Sequence, residues 1–221
     1  MAHIFIVGAT GGIGSRLHPL LTAAGHRVSG LHRKPEQAAA LAAAGVVPVA
    51  GDIIDMTEDD LARAAAGADT IVFSAGAAGS GQDRATAIDG DGPIKLLAAA
   101  RAQGIDRFYI VSAFPEAGRD KDLGAGFEHY MVQKKRADVA VAQSPLDWVI
   151  LRPGTLTDAE GPGRIALGPV LDYGDVARAH VAATLAALVD RPEIRREVLE
   201  LTDGDTAVTE AVAQMADLRA G

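Results

Sequence analysis

The sequence contains no cysteine and no asparagine among its 221 residues. Without cysteine there is no disulfide framework, no thiolate nucleophile and no Cys-ligated zinc. Aromatic residues make up 4%, which leaves few platforms for stacking single-stranded nucleic acid. Basic residues are outnumbered, 21 against 29 acidic, and the net charge of −8 argues against a polyanionic partner such as DNA or RNA. No apolar run approaches the ~20 residues that a membrane span needs. The first residues read as a strand, not as a basic region leading to an apolar stretch and a cleavage site. The expectation is a soluble, cytoplasmic protein with no membrane or nucleic-acid partner. The six histidines lack metal-ligand spacing, so no metal is expected, and no Gly-x-Ser-x-Gly elbow supports an esterase.

What is present is concentrated near the start. A short apolar run, Ile4 to Val7, breaks into Gly8-Ala9-Thr10-Gly11-Gly12-Ile13-Gly14, and a helical pattern begins at once. Glycines at 8, 11 and 14 suit a strand turning sharply into a helix. Gly8 allows the turn, Gly11 lets the backbone approach a pyrophosphate, and Gly14 lets the helix pack against the sheet. The anion then rests on free N–H groups at the helix N-terminus, where the dipole favours negative charge. Thr10, Gly12 and Ile13 complete this dinucleotide cradle.

The rest of the chain alternates strand and helix, which predicts a Rossmann-like, doubly wound parallel sheet with helices on both faces. With 48% hydrophobic residues, the chain is expected to form a single NAD(P)-binding domain over 1–221. Strands are expected at roughly 3–7, 26–32, 46–50, 69–74, 107–112, 148–152 and 198–202. Helices are expected at 13–24, 35–44, from Thr57, at 91–103, 127–143 and 175–188, and in the tail 207–220. Thr57 with Asp60 three residues on is close to a capping box. The least regular stretches, 113–126 and 154–174, follow strands at their C-terminal ends, where open α/β sheets bind ligands. They are the expected walls of a substrate pocket with a small C-terminal substrate-loop region.

The end of the second strand selects the cofactor. A carboxylate there bonds the adenosine ribose, whereas a basic side chain accommodates a 2′-phosphate. This chain has Leu31-His32-Arg33-Lys34-Pro35 and no carboxylate before Glu36. NADP (NADPH) is therefore favoured over NAD, with Arg33 supplying a planar fork and Lys34 a point charge. The alternative for both is a solvated turn. Asp52 is a candidate acceptor for the adenine amino group and equally a plain acidic turn residue. Ala75 and Gly76 are small enough for the backbone to run beside the adenosine.

Tyr130 and Lys134 stand four residues apart, hence on one helix face. A cation beside a phenol lowers its pKa from about 10 and makes it a general acid or base near neutrality. Ser112, ending a strand, can hold a substrate oxygen from the other side. The alternative is a packed tyrosine beside a solvated lysine. His129 is expected at the surface, His180 as a packing or partner-facing residue, and Trp148 in the core.

Together the glycine turn, Gly51-Asp52, Asp106-Arg107-Phe108-Tyr109-Ile110-Val111-Ser112, the Tyr130–Lys134 pair and Leu151-Arg152-Pro153-Gly154-Thr155-Leu156-Thr157-Asp158 resemble the atypical short-chain dehydrogenase/reductase superfamily. The resemblance covers nearly the whole chain. It is nearest to the small NAD(P)H-binding proteins that include flavin and biliverdin reductases and often carry epimerase names. It implies Pro153, Gly154 and Thr155 beside the nicotinamide, and Ser112, Tyr130 and Lys134 as the catalytic set. Many dehydrogenases of that superfamily add an asparagine to the set; a chain with none excludes that relay. The C-terminal region is short beside that of nucleotide-sugar epimerases, which weighs against such a substrate. The expected function is an NADP(H)-dependent oxidoreductase passing hydride to a small carbonyl, quinone or flavin-like acceptor. The alternatives are an NADP(H)-responsive regulator without turnover, or a nucleotide-sugar epimerase or dehydratase.

Overall fold

The computed structural model describes residues 1–119, 121–161 and 163–220; Asp120 and Pro162, which fall in the two irregular stretches singled out above, and Gly221 lie outside the described residues. The chain opens with β1 (His3–Val7), α1 (Gly14–Ala23), β2 (Arg27–His32), α2 (Pro35–Ala43), β3 (Val47–Ala50), α3 (Glu58–Ala64) and β4 (Thr70–Phe73). A short helix α4 (Gln82–Ala85) runs through a π-helical turn (Thr86–Asp91) into α5 (Gly92–Gln103). Then come β5 (Arg107–Val111), α6 (Gly124–Ala142), β6 (Asp147–Pro153), β7 (Thr155–Thr157), β8 (Arg164–Gly168) and β9 (Asp175–Ala177). The chain closes with α7 (Arg178–Val189), β10 (Glu197–Asp203), β11 (Thr206–Ala207) and α8 (Val208–Ala220).

Nine strands form one sheet in the order β11-β8-β10-β6-β5-β4-β1-β2-β3. From β3 to β10 all pairings are parallel, and β8 and β11 add an antiparallel edge. The strand order reverses between β1 and β4, the switch point beyond whose C-terminal ends such sheets hold ligands. Alternation along each strand sorts the core into two layers. Ile4, Ile6, Val72 and Leu151 face α1, α7 and α8 with Leu17, Leu21, Val181, Leu185 and Val212. Phe5, Val7, Phe73, Ile110 and Trp148 face α3, α5 and α6 with Leu61, Leu96 and Val141.

Three expectations need correction. The helix expected at 175–188 starts at Arg178, because Val176 pairs with Leu156 in a small sheet of β7 and β9 and the Ala177 N–H is held by Asp203 Oδ1 at 3.0 Å. The stretch 154–174 contains β7 and β8, whose short apolar runs between Gly154, Gly161, Gly163 and Gly168 hide their pairing. The helix expected from 91 is preceded by ten residues of α4 and π-helical turn.

Candidate functional site

The glycine turn is held by close packing. Gly8 has φ +97°, and a methyl group there would lie 2.5 Å from the Ala75 nitrogen, so the turn passes directly against the chain leaving β4. The Gly11 N–H closes onto Gly8 O at 3.0 Å. A methyl on Gly14 would lie 2.1 Å from Gly8 O, so this glycine admits α1 against the turn itself more than against the sheet. Among the described residues, no hydrogen bond takes up the N–H groups of Gly12 or Ile13. Free donors at the start of a ten-residue helix suit a diphosphate.

The end of β2 is wired to this turn by a residue that composition alone did not single out. Gln37 Oε1 accepts from the backbone N–H of Arg33 and Lys34 at 3.2 and 3.0 Å, and its Nε2 donates to Thr10 Oγ1 at 3.2 Å. Its signal was a glutamine three residues after Lys34, the residue that caps α2. The Arg33 guanidinium is half exposed and stands 3.8 Å from Asp52. Asp52 Oδ1 also accepts from Ile54 N at 3.0 Å, which closes its own turn.

At the C-terminal edge of β5 the side chains of α6 meet the sheet. Tyr130, Lys134 and Asp138 form one stripe at four-residue spacing. The ammonium of Lys134, 5% exposed, donates to Val111 O at 3.0 Å, stands 3.1 Å from Asp89 Oδ1 and lies 5.7 Å from the Tyr130 ring centre. Asp89, wholly buried in the π-helical turn, also accepts the Ala77 N–H at 3.0 Å on Oδ2. Gly76 passes close by, since a methyl there would lie 3.3 Å from Asp89 Oδ1. Asp89 carries no local signal in the sequence, since its partner is 45 positions away.

This carboxylate changes the electrostatics expected from the Tyr130–Lys134 pair. Burial pushes the Tyr130 phenol above its ordinary pKa; Lys134 pulls it down, while Asp89 and Asp138 add to the rise. The expected lowering is thus reversed: the cation is already matched by an anion in a poorly solvated place. For Lys134, burial opposes the charge, but Tyr130, Asp89 and Asp138 outweigh it and raise the pKa, so the ammonium persists. Asp138 is held by Arg152 Nε and Nη2 at 3.1 and 2.9 Å. Burial lifts its carboxyl above the usual range against the pull of Ser112, Arg152 and Lys134. Ser112 Oγ is shielded from solvent in the same place, whereas Tyr130 remains partly open.

The segment after β6 is equally constrained. A methyl on Gly154 would lie 1.9 Å from Gly174 O, so only glycine lets the two chains cross. The Thr155 N–H donates to Gly174 O at 3.0 Å, and its Oγ1 lies 2.6 Å from the Tyr173 hydroxyl. Tyr173 stacks edge-on to Phe114, with ring centres 5.4 Å apart, and Phe127 stands 6.0 Å from the Tyr130 ring. Four of the nine aromatic residues therefore gather in the elements that follow β5 and β6. His129 is half-buried and bonded to Thr86 Oγ1 at 2.8 Å, contrary to its expected surface position. His180 is a packing residue: it faces Asp203 at 2.6 Å and accepts the Gly163 N–H at 2.9 Å. Trp148 lies in the core.

Among the described residues, no cluster of three or more His, Asp or Glu is placed to hold a metal ion, and no helix is long and apolar enough to cross a membrane.

A family described as NAD(P)H-binding matches residues 8–192. The chain is 36% identical over 214 residues to YhfK of Bacillus subtilis, named an uncharacterized sugar epimerase, covering 96% of this chain and 99% of the relative. A solved structure from Bacillus halodurans, provisionally named an NAD-dependent epimerase/dehydratase, is 32% identical and superposes with a TM-score of 0.87 over 97% of this chain and 100% of the other. ChuY of Escherichia coli O157:H7, an anaerobillin reductase, is 27% identical with a TM-score of 0.78, covering 92% and 98% of the two chains.

Proposed function

The chain belongs to the NAD(P)H-binding family, and on that premise we propose that it is an NADPH-dependent reductase acting on a small carbonyl, quinone or flavin-like acceptor. The observation that carries this reading is the partly open Tyr130 phenol, kept protonated beside the buried Lys134–Asp89 pair at the C-terminal edge of β5. A phenol that retains its proton is a donor, which is what carbonyl reduction requires of it.

The glycine turn, the N–H groups of Gly12 and Ile13, and Thr10 fit a dinucleotide diphosphate, while Ala75, Gly76 and Asp52 line the adenosine side. Arg33 and Lys34 supply cations where a 2′-phosphate would lie, which supports NADP over NAD. Pro153, Gly154 and Thr155 are assigned to the nicotinamide end. A bound dihydronicotinamide supplies hydride to the acceptor. Tyr130 gives the proton to the developing alkoxide, and Lys134, buried against Val111 O and Asp89, stabilises charge next to the phenol. Ser112 is assigned to orient the acceptor oxygen, its hydroxyl lying buried beside Asp138. The aromatic residues after β5 and β6 suit a flat, conjugated acceptor.

The names of the bacillar relatives favour a second reading, epimerisation of a sugar, in which the nicotinamide is restored at each turnover and no NADPH is consumed. Tyr130→Phe tests the reductase assignment. It is expected to lower aldehyde and ketone reduction roughly 10²- to 10⁴-fold while NADPH affinity stays unchanged. Carbonyl reduction at the wild-type rate would remove Tyr130 as the proton donor. Loss confined to carbonyls, with flavin and quinone reduction intact, would show that those acceptors take their proton from water.

A further inference from the structure

Two arginines crowd the glycine turn although no sequence motif marked them. Arg16, in the first turn of α1, donates through Nη1 to Gly12 O at 2.6 Å. Arg178, the first residue of α7, lies against the same glycine: a methyl on Gly12 would meet its Cδ at 2.8 Å and its Nε at 3.1 Å. Gly12 is therefore a glycine that makes room for a guanidinium. One carboxylate joins the pair, with Asp158 Oδ1 at 3.1 Å from Arg178 Nη1 and 3.7 Å from Arg16 Nη2. The Asp158 side chain is 75% exposed, against 28% for Arg178 and 38% for Arg16.

This arrangement leaves the arginines under-compensated. Two fixed cations and the positive end of α1 face a single carboxylate that water can solvate, and such exposed pairs are weak and screened by salt. A diphosphate offers several anionic oxygens to the same two forks, in the planar geometry that guanidinium groups match. The N–H groups of Gly12 and Ile13, which no hydrogen bond takes up among the described residues, belong to the same turn.

We infer that Arg16 and Arg178 form a cationic clamp for the dinucleotide diphosphate, and that Asp158 is its built-in stand-in, displaced when the cofactor enters. This rests on the dinucleotide-binding reading and adds to it both ligands from outside the glycine motif and an internal competitor. Asp158 is tethered for that role. The register of β7 on β9 sets Thr157 against Ala177, next to Arg178, and the Gly163 N–H is fastened to His180 Nε2 at 2.9 Å.

Fluorescence titration with NADPH, and displacement of NADPH by ADP-ribose, test this on the wild type, Arg178→Gln and Asp158→Asn. Arg178→Gln keeps the stem that covers Gly12, and is expected to weaken both ligands about tenfold and to flatten the dependence of affinity on ionic strength. Asp158→Asn is expected to tighten both about two- to fivefold, since it removes the competitor and leaves the arginines. Thermal melts in the absence of ligand check that both variants remain folded; should Arg178→Gln fail to fold, Arg16→Gln reads the same loss. Unchanged affinity in Arg178→Gln, or weakening in Asp158→Asn, overturns the clamp. If the wild type takes up no dinucleotide, the clamp and the cofactor reading fall together; if it binds normally and only the variants disagree, the clamp falls alone.

Discussion

At the scale of single residues, the proposed donor is the Tyr130 phenol. Burial, with Asp89 and Asp138, raises its pKa against the pull of Lys134. Carbonyl reduction should therefore hold steady through neutrality and decline only as pH passes the ordinary phenol value of about 10. A falling limb centred near or below about pH 8 would mean that the cation dominates after all. Arg33→Ser should weaken NADPH about tenfold and leave NADH unchanged, because only the 2′-phosphate distinguishes them; equal affinity losses for the two would remove Arg33 from cofactor selection. The Tyr130–Lys134 face was legible because four-residue spacing on a helix is local. Its electrostatics were not, since Asp89 comes from a segment that reads as a featureless run of small and acidic residues. Arg178 and Gln37 escaped for the same reason: each is defined by a contact with the glycine turn, more than 20 positions away.

At the scale of elements, the glycine turn and the π-helical turn are the two devices that shape the site. Gly14→Ala places a methyl against backbone that has no room to yield. Overpacking of this kind costs about 1–3 kcal/mol, and the displaced turn should lose measurable NADPH affinity; a variant that binds as the wild type does would show that the turn tolerates α1 shifting outward. The π-helical turn has a different task. Its extra residue turns Asp89 inward, where it ties the chain after β4 to Lys134 of α6. Asp89→Asn leaves a buried ammonium without its counter-charge and is expected to cost about 3 kcal/mol, a drop of roughly 6–12 °C in Tm for a chain of this size. A melting point within about 2 °C of wild type would mean that Lys134 is neutral or solvated, against the ion pair. The first turn of the fold was readable from three glycines after an apolar strand. The antiparallel edge was not, because β8 and β11 depend on partners across the sheet for their pairing.

At the scale of the whole molecule, nine strands form one sheet whose order reverses between β1 and β4. The parallel core was visible in the alternation of apolar runs and helices, which depends only on local pattern, and the family through its resemblance in the glycine turn, the Tyr130–Lys134 pair and the Arg152-Pro153-Gly154 segment. Phe114, Tyr173, Phe127 and Tyr130 gather in the stretches after β5 and β6, to which the proposed function assigns the choice of acceptor. Their shape is set by crossings such as Gly154 under Gly174, which no local pattern reveals. Under the proposed function, the site at the C-terminal ends of these strands consumes NADPH. The most direct test mixes the NADPH-loaded protein with aldehydes, quinones, flavins and nucleotide sugars in turn, and follows the nicotinamide absorbance. The account predicts net oxidation of NADPH with at least one carbonyl, quinone or flavin, in proportion to the acceptor reduced. Bound NADPH that stays reduced with all of them, whether or not a sugar is epimerised, would contradict it.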